Sequence, residues 1–150
     1  MTKIDDIDQR ILRALSNDGR QSNADLAGKI GLSASACLRR VQELERCGVI
    51  KGYRAILDAD QLGRGFIAYL AVGLSDHSKA AQKSFERVVE AAPQVVECHN
   101  ITGTMEYLLR VEVKDLAAYK YLHTEIIGQI SQVNALTSYI VIGSPVDRRA

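Results

Sequence analysis

The sequence predicts an α+β chain in two parts, an N-terminal winged helix-turn-helix and a C-terminal βαββαβ domain of the ferredoxin-like, split βαβ kind. Three observations predict it. Apolar residues follow a helical period from Asp5 to Val49, and a glycine turn at Gly31 separates two of the short helices. After a break rich in glycine and aspartate at Asp58–Gly65, strand-like runs begin to alternate with helices. The expected boundaries are residues 1–52 for the winged helix-turn-helix, 53–64 for a linker, 65–143 for the ferredoxin-like domain and 144–150 for a short, frayed polar tail.

In the first part, Ile7, Ile11, Leu12 and Leu15 share one face of a helix. Asn17-Asp18-Gly19 turns the chain, with Gly19 placed where a helix end commonly takes a left-handed residue. Ser22-Asn23-Ala24-Asp25 resembles a capping box and opens a short helix that buries Leu26, Ala27 and Ile30. Gly31 ends it, Ser33 caps a third helix running to about Cys47, and Gly48 stops that one. Val49 to about Leu57 reads as extended, with Ile50, Tyr53, Ile56 and Leu57 among charged residues.

In the second part, Phe66–Leu74 is a strand and Ser78–Ala91 a helix with Ala81, Phe85, Val88 and Val89 inward, closed by Pro93. Val95–Ile101 and Tyr107–Val113 are strands joined across Thr102–Glu106. Ala117–Ile130 is a second helix and Thr137–Ile142 a last strand. Two helices then cover one face of a four-stranded antiparallel sheet. Because Phe66–Leu74 is apolar nearly throughout, the other face also needs covering, most economically by another copy of the chain.

Composition narrows the function classes. With 47% hydrophobic and 25% charged residues the chain is ordinary for a soluble globular protein. It has no apolar run near the roughly 20 residues that span a bilayer. Its acidic start, Met1-Thr2-Lys3-Ile4-Asp5-Asp6, lacks the apolar stretch of a signal peptide, so a cytoplasmic location is expected. Cys37, Cys47 and Cys98 are odd in number and far apart, which fits reduced thiols better than a disulfide framework or a metal site. His77 and His123 are isolated, and no metal or cofactor is implied. Net charge is only +1, but its distribution is uneven. Between Arg20 and Arg54, Arg20, Lys29, Arg39, Arg40, Arg46, Lys51 and Arg54 oppose only Asp25, Glu43 and Glu45. A local basic excess is the footprint of a phosphate-binding surface.

The third helix carries the chemistry. On its wheel Ala34, Leu38, Val41, Leu44 and Glu45 fall on one side, which is expected to pack on the first two helices. Ser35, Ala36, Arg39, Glu43 and Arg46 fall opposite, with Arg40 at the boundary. A helix that enters the major groove must present such groups to base edges and phosphates. Two helices joined by a tight glycine turn, the second opening at Ser33, have the spacing of a helix-turn-helix. The candidate DNA contacts are therefore Ser33, Ser35, Ala36, Arg39, Arg40, Glu43 and Arg46.

These residues carry a family pattern. Asp8-x-x-Ile11-Leu12, Asn17-x-Gly19-Arg20, Leu26-Ala27, Leu32-Ser33 and Cys37-Leu38-Arg39-Arg40-Val41-x-x-Leu44-Glu45-x-x-Gly48-Val49-Ile50 together resemble the leucine-responsive regulatory protein/asparagine-regulator family (Lrp/AsnC, or feast/famine). Gly103-x-x-x-Tyr107-Leu108-Leu109-Arg110-Val111 and Asp115-x-x-x-Tyr119 agree with that family's effector domain, and the resemblance covers essentially the whole chain. It implies a transcription regulator that binds double-stranded DNA. It further implies a homodimer joined through the C-terminal sheets, commonly four dimers in an octameric ring, and an amino acid as effector. Carried over by position, the effector site involves Gly103, Thr104, Met105, Glu106 and Tyr107, with Thr137, Ser138 and Tyr139 on the last strand; His99, on the strand before the loop, is expected to line the same pocket from its position in this sequence. Where the family loop is often Gly-Asp-Tyr-Asp, this chain has Gly103-Thr104-Met105-Glu106. Backbone N–H groups at a glycine loop can hold a carboxylate, and Glu106 is the expected partner of an ammonium group.

Two other readings stand beside this one. An enzyme is disfavoured because no Ser/His/Asp or Cys/His arrangement, phosphate-binding loop or metal-ligand spacing is present. A nucleoid-associated, architectural protein that wraps DNA without an effector shares the same DNA-reading element, and sequence alone does not separate it from a sensor.

Overall fold

A computed structural model describes residues 3–147 and divides the chain into two compact units, Met1–Ala55 and Ile56–Ala150. The part of the expected tail formed by Arg148, Arg149 and Ala150 lies outside the described residues.

The first unit holds α1 (Asp6–Asn17), α2 (Asn23–Ile30) and α3 (Ala34–Arg46). Helix α1 opens with a full capping box that the sequence pattern did not flag, because Asp5 stands at its N-cap where the usual pattern has Ser or Thr. The Asp8 backbone N–H donates to Asp5 Oδ1 at 2.8 Å, and the Asp5 N–H donates to Asp8 Oδ2 at 3.2 Å. The expected role of Gly19 is not observed. The helix ends at Asp18 in an extended conformation, and Gly19 is not among the glycines with positive φ. The Gln21 side chain folds over the helix end, its Nε2 donating to Ala14 O at 2.9 Å, beside the Asp18 N–H, and to Asp18 O at 2.8 Å. A Cβ on Gly19 would make ordinary contact with the Tyr53 ring at 3.4 Å.

Ser22 caps α2 by accepting from the Asp25 N–H, and Gly31 closes it at φ 80°, a left-handed position that suits glycine. Asn23 Nδ2 donates to Ala34 O at 2.9 Å, which ties the start of α2 to the start of α3. Ser33 caps α3 through the Ala36 N–H. Ile11, Leu26, Ala27, Ile30, Cys37 and Leu44 form the buried core, with Ile7, Leu12, Leu15, Val41 and Ile50 against it.

The stretch expected to be extended, Val49–Leu57, joins no strand ladder among the described residues. Ile50 N–H returns to Leu44 O at 3.0 Å, while Tyr53, Ile56 and Leu57 stay more than half exposed. Alternating apolar residues mark an extended run, but a strand also needs a hydrogen-bonding partner.

The second unit holds β1 (Phe66–Leu74), α4 (Lys79–Glu90), β2 (Val95–Asn100), β3 (Tyr107–Val113), α5 (Leu116–Tyr121) and β4 (Val133–Ile140). The strands form one antiparallel sheet in the order β2-β3-β1-β4, the arrangement of a split βαβ domain. Ala68, Leu70, Val72 and Leu74 of β1 and Tyr107, Leu109, Val111 and Val113 of β3 form a core with Phe85 and Val89 of α4 and Tyr119 of α5. Val88, expected inside, is 37% exposed. Instead of one long second helix, α5 passes into a π-helical stretch, Leu122–Ile127. The Gly128 N–H bonds His123 O, five residues back, and a Cβ on Gly128 would sit 2.8 Å from that oxygen. The last strand begins four residues before its expected start at Thr137.

On the face away from the helices, Arg110 and Glu112 form an ion pair with both side chains largely covered. Ser144–Asp147, expected to be a free tail, instead borders a hollow of about 260 Å³ with Ile67, Tyr69 and Arg110.

Candidate nucleic-acid interface and effector loop

The buried side of α3 is rotated from its expected position. Cys37 is 0% and Leu44 2% exposed, with Val41 packed beside them, whereas Leu38 is 44% exposed and Ala34 and Glu45 are also exposed. A thiol counts as a small apolar group, and including Cys37 in the wheel moves the centre of the inward face. The outward side then comprises Ser35, Arg39, Gln42, Glu43 and Arg46, all exposed. Ala36, expected to face out, is half-buried. Gln42 was missed; its side chain can present both an acceptor and a donor to adenine, and the corrected wheel is the signal that finds it.

The cations of this helix differ in availability. Arg39 makes no hydrogen bond or ion pair among the described residues. Arg46 forks onto Glu43, Nη2 to Oε1 at 2.6 Å and Nε to Oε2 at 2.8 Å, and that hydrogen bond holds the Glu43 carboxyl below its ordinary pKa. Arg40 points back to α1. Its Nη1 donates to Asp5 Oδ2 and to Asp8 Oδ1, both at 2.8 Å. The guanidinium of Arg40, a candidate DNA contact at the boundary of the outward side, is thus engaged inside the domain. Ser33 is exposed but engaged as the α3 cap, 3.3 Å from Ser35 Oγ.

In the second unit the loop residues Gly103 to Glu106 sit together at the β2–β3 turn. Gly103 has φ 126°, which strongly favours glycine. Glu106 is already engaged: Leu74 N–H donates to its Oε2 at 2.6 Å, and His77 Nδ1 lies 3.4 Å from its Oε1. His77 was expected to be isolated. The β1–β3 register, with Val72 opposite Tyr107, carries the segment after β1 to the loop, and nothing local in sequence reports that. Met105 Sδ would lie 3.2 Å from a Cβ on Gly73, so a side chain there would crowd the loop's underside.

Strand alternation separates other residues grouped in the expected site. Tyr107 is 1% exposed, stacks near Phe85 at 4.6 Å between ring centroids and donates to Glu86 Oε1 at 2.8 Å. It is a core residue, and burial together with Glu86 pushes its phenol up to about 12. Ser138 also faces the helices, where it accepts from the Tyr119 hydroxyl at 2.6 Å. Thr137 and Tyr139 therefore face the other way, because neighbouring strand residues point to opposite sides. His99 lies on edge strand β2, opposite Leu108, with its Nε2 3.2 Å from Glu97. The Cys98 thiol is pushed up to about 11, by burial first and then by Glu86 and Glu90, which keeps it protonated and weakly nucleophilic at neutral pH. No group of three His, Cys, Asp or Glu side chains that could hold a metal ion occurs among the described residues.

A helix-turn-helix with an exposed arginine-bearing helix, joined in one chain to a split βαβ unit, is the layout of a two-domain DNA-binding regulator, and comparison places it in a family. Residues 4–51 match the winged helix-turn-helix DNA-binding model and residues 67–150 the Lrp/AsnC ligand binding domain model, so the chain belongs to the Lrp/AsnC family of DNA-binding transcription regulators. Among its relatives, the Bkd operon transcriptional regulator of Pseudomonas aeruginosa is 41% identical over 150 residues, covering 100% of this chain and 98% of that protein. The leucine-responsive regulatory protein of Escherichia coli is 35% identical over 139 residues, 93% of this chain and 85% of that protein. A transcriptional regulator from Neisseria meningitidis, solved as a complex with L-Met, superposes with a TM-score of 0.92 at 29% identity, over 97% of this chain and 94% of that one. An AsnC family regulator from Agrobacterium tumefaciens gives a TM-score of 0.89 at 34% identity, over 95% and 93%.

Proposed function

We propose that this regulator grips duplex DNA through the outward side of α3, with Arg39 as the principal base or phosphate contact and Ser35, Gln42 and Arg46 beside it. The observation that carries this reading is the unpaired, exposed Arg39 on the side of α3 opposite the buried Cys37 and Leu44. The working species is a homodimer or a larger ring of dimers such as an octamer, acting on the nucleoid in the cytoplasm. Two-fold symmetry would set two recognition helices one DNA turn apart. No helix among the described residues is long and apolar enough to cross a membrane.

An amino acid is the proposed effector, bound at Gly103–Glu106. Support comes from the L-Met complex of the Neisseria meningitidis relative and from the glycine loop itself. One observation favours the rival reading, a DNA-wrapping protein without effector: the Glu106 carboxylate already serves Leu74 and His77. A thermal-shift screen against the amino acids separates the two, because a ligand at 100 times its Kd adds about 2.7 kcal/mol of stability. A hit that also changes duplex affinity supports the sensor. A flat screen at millimolar ligand overturns it in favour of the architectural role.

A further inference from the structure

We infer that Arg40 is a positioning residue for DNA reading, the strut that sets the pitch of α3 against α1, and that it acts through Asp5 and Asp8 rather than on DNA. The inference rests on α3 being the DNA-reading helix. Three facts converge on it. One nitrogen of Arg40 donates to two carboxylates at 2.8 Å each, so the contact fixes its position against two points. Those carboxylates are themselves locked by the reciprocal capping box at the start of α1, and Asp8 is 9% exposed and the buried charged residue of the unit's described part. Lastly, Arg40 follows Arg39 directly in the same helix, so a rotation of α3 about its axis that loosens the Arg40 strut also displaces Arg39, Gln42 and Ser35 from their lines of approach.

Neither carboxylate suits a phosphate-facing surface on its own, and Arg40 offsets one of their two formal charges while holding both in place. Contacts to base edges need placement within a fraction of an ångström, whereas phosphate attraction is tolerant of small rotations. Loss of the strut is therefore expected to damage sequence discrimination while sparing general affinity.

The test uses the full chain. Wild-type protein first enriches a preferred duplex from a randomised pool, and its affinity is compared with that for a scrambled duplex of equal length over a range of salt. If wild type shows no salt-dependent binding to either duplex, the DNA-reading assignment itself fails, and this outcome is distinct from those below. Arg40→Met is expected to weaken the preferred duplex about five- to a hundredfold, the range of one lost base contact, while the scrambled affinity and the salt slope hold. Asp8→Asn keeps an acceptor for the Asp5 N–H and is expected to lose discrimination in the same direction. Simple electrostatics predicts the opposite, since removing a negative charge should tighten every duplex. Arg40→Lys is expected to retain most discrimination, because a single nitrogen meets both carboxylates. The inference is overturned if Arg40→Met weakens both duplexes alike and lowers the salt slope by about 0.9, the signature of a lost phosphate contact, or if Asp8→Asn tightens both. Should Arg40→Met fail to fold, Asp8→Asn and Arg40→Lys decide the matter alone.

Discussion

Tyr107 offers a sharp test because its place in the family pattern and its place in the fold point to different roles. The phenol donates to Glu86 at 2.8 Å from a nearly fully buried ring. Tyr107→Phe removes one hydrogen bond to a charged acceptor, for which about 1.5–3 kcal/mol is typical. Glu86 is only half-buried, so water can take over part of that bond, and the expected loss is about 1–2 kcal/mol. The Phe ring keeps the stacking on Phe85, so no cavity term is added. For a unit of this size the loss lowers Tm by roughly 5–15 °C, measured by calorimetry or near-ultraviolet circular dichroism. The pH dependence has a definite sign. The folded phenol titrates near 12 and the unfolded one near 10, so wild-type stability is fully present below pH 10 and declines as pH rises toward 12. The Phe variant lacks that alkaline decline, and the two stabilities converge. A variant with unchanged Tm that has lost a ligand response present in wild type would refute the reasoning and return Tyr107 to the effector site.

Other consequences follow from the same geometry. Glu43→Gln releases Arg46 and removes a negative charge from the reading side, so duplex affinity should rise at low salt in fluorescence anisotropy. Arg46→Ala should cost less than Arg39→Ala, because Arg46 must first leave Glu43. Gly31→Ala meets no atom within 4 Å but forces a Cβ into the left-handed region, so a loss of about 1–2 kcal/mol from the first unit is expected by denaturant titration. Asp5 is held below its ordinary pKa, first by the Asp8 N–H and then by Arg40, so its contribution is present above about pH 4 and fades as pH falls further. Asp5→Asn should flatten that acid decline in a pH-dependent melt.

Most of the architecture was legible in the sequence for physical reasons. The helical period of Ile7, Ile11 and Leu15, the caps at Ser22 and Ser33 and the left-handed Gly31 are local signals, and local signals suffice for short helices. Apolar runs separated by a capped helix predicted the βαββαβ order in the same way. What failed was either non-local or chemically disguised. The Asp5–Asp8–Arg40 contact joins residues more than 30 positions apart, and a wheel that puts Arg40 at the boundary does not say which acids it meets. Cys37 was read as a thiol rather than as the centre of an apolar face. Positional carry-over placed Tyr107 and Ser138 beside Thr137 and Tyr139, although period-two alternation sends them to opposite faces. His77 reaches Glu106 only through the β1–β3 register.

The central claim is that α3 reads DNA with its outward side, and Arg39→Ala tests it most directly, because Arg39 has no partner among the described residues whose loss would disturb the fold. Measured against a preferred and a scrambled duplex across a salt series, the variant should keep the wild-type Tm within about 1 °C while losing about 1–3 kcal/mol on the preferred duplex. Unchanged affinity for both duplexes at every salt concentration would contradict the account.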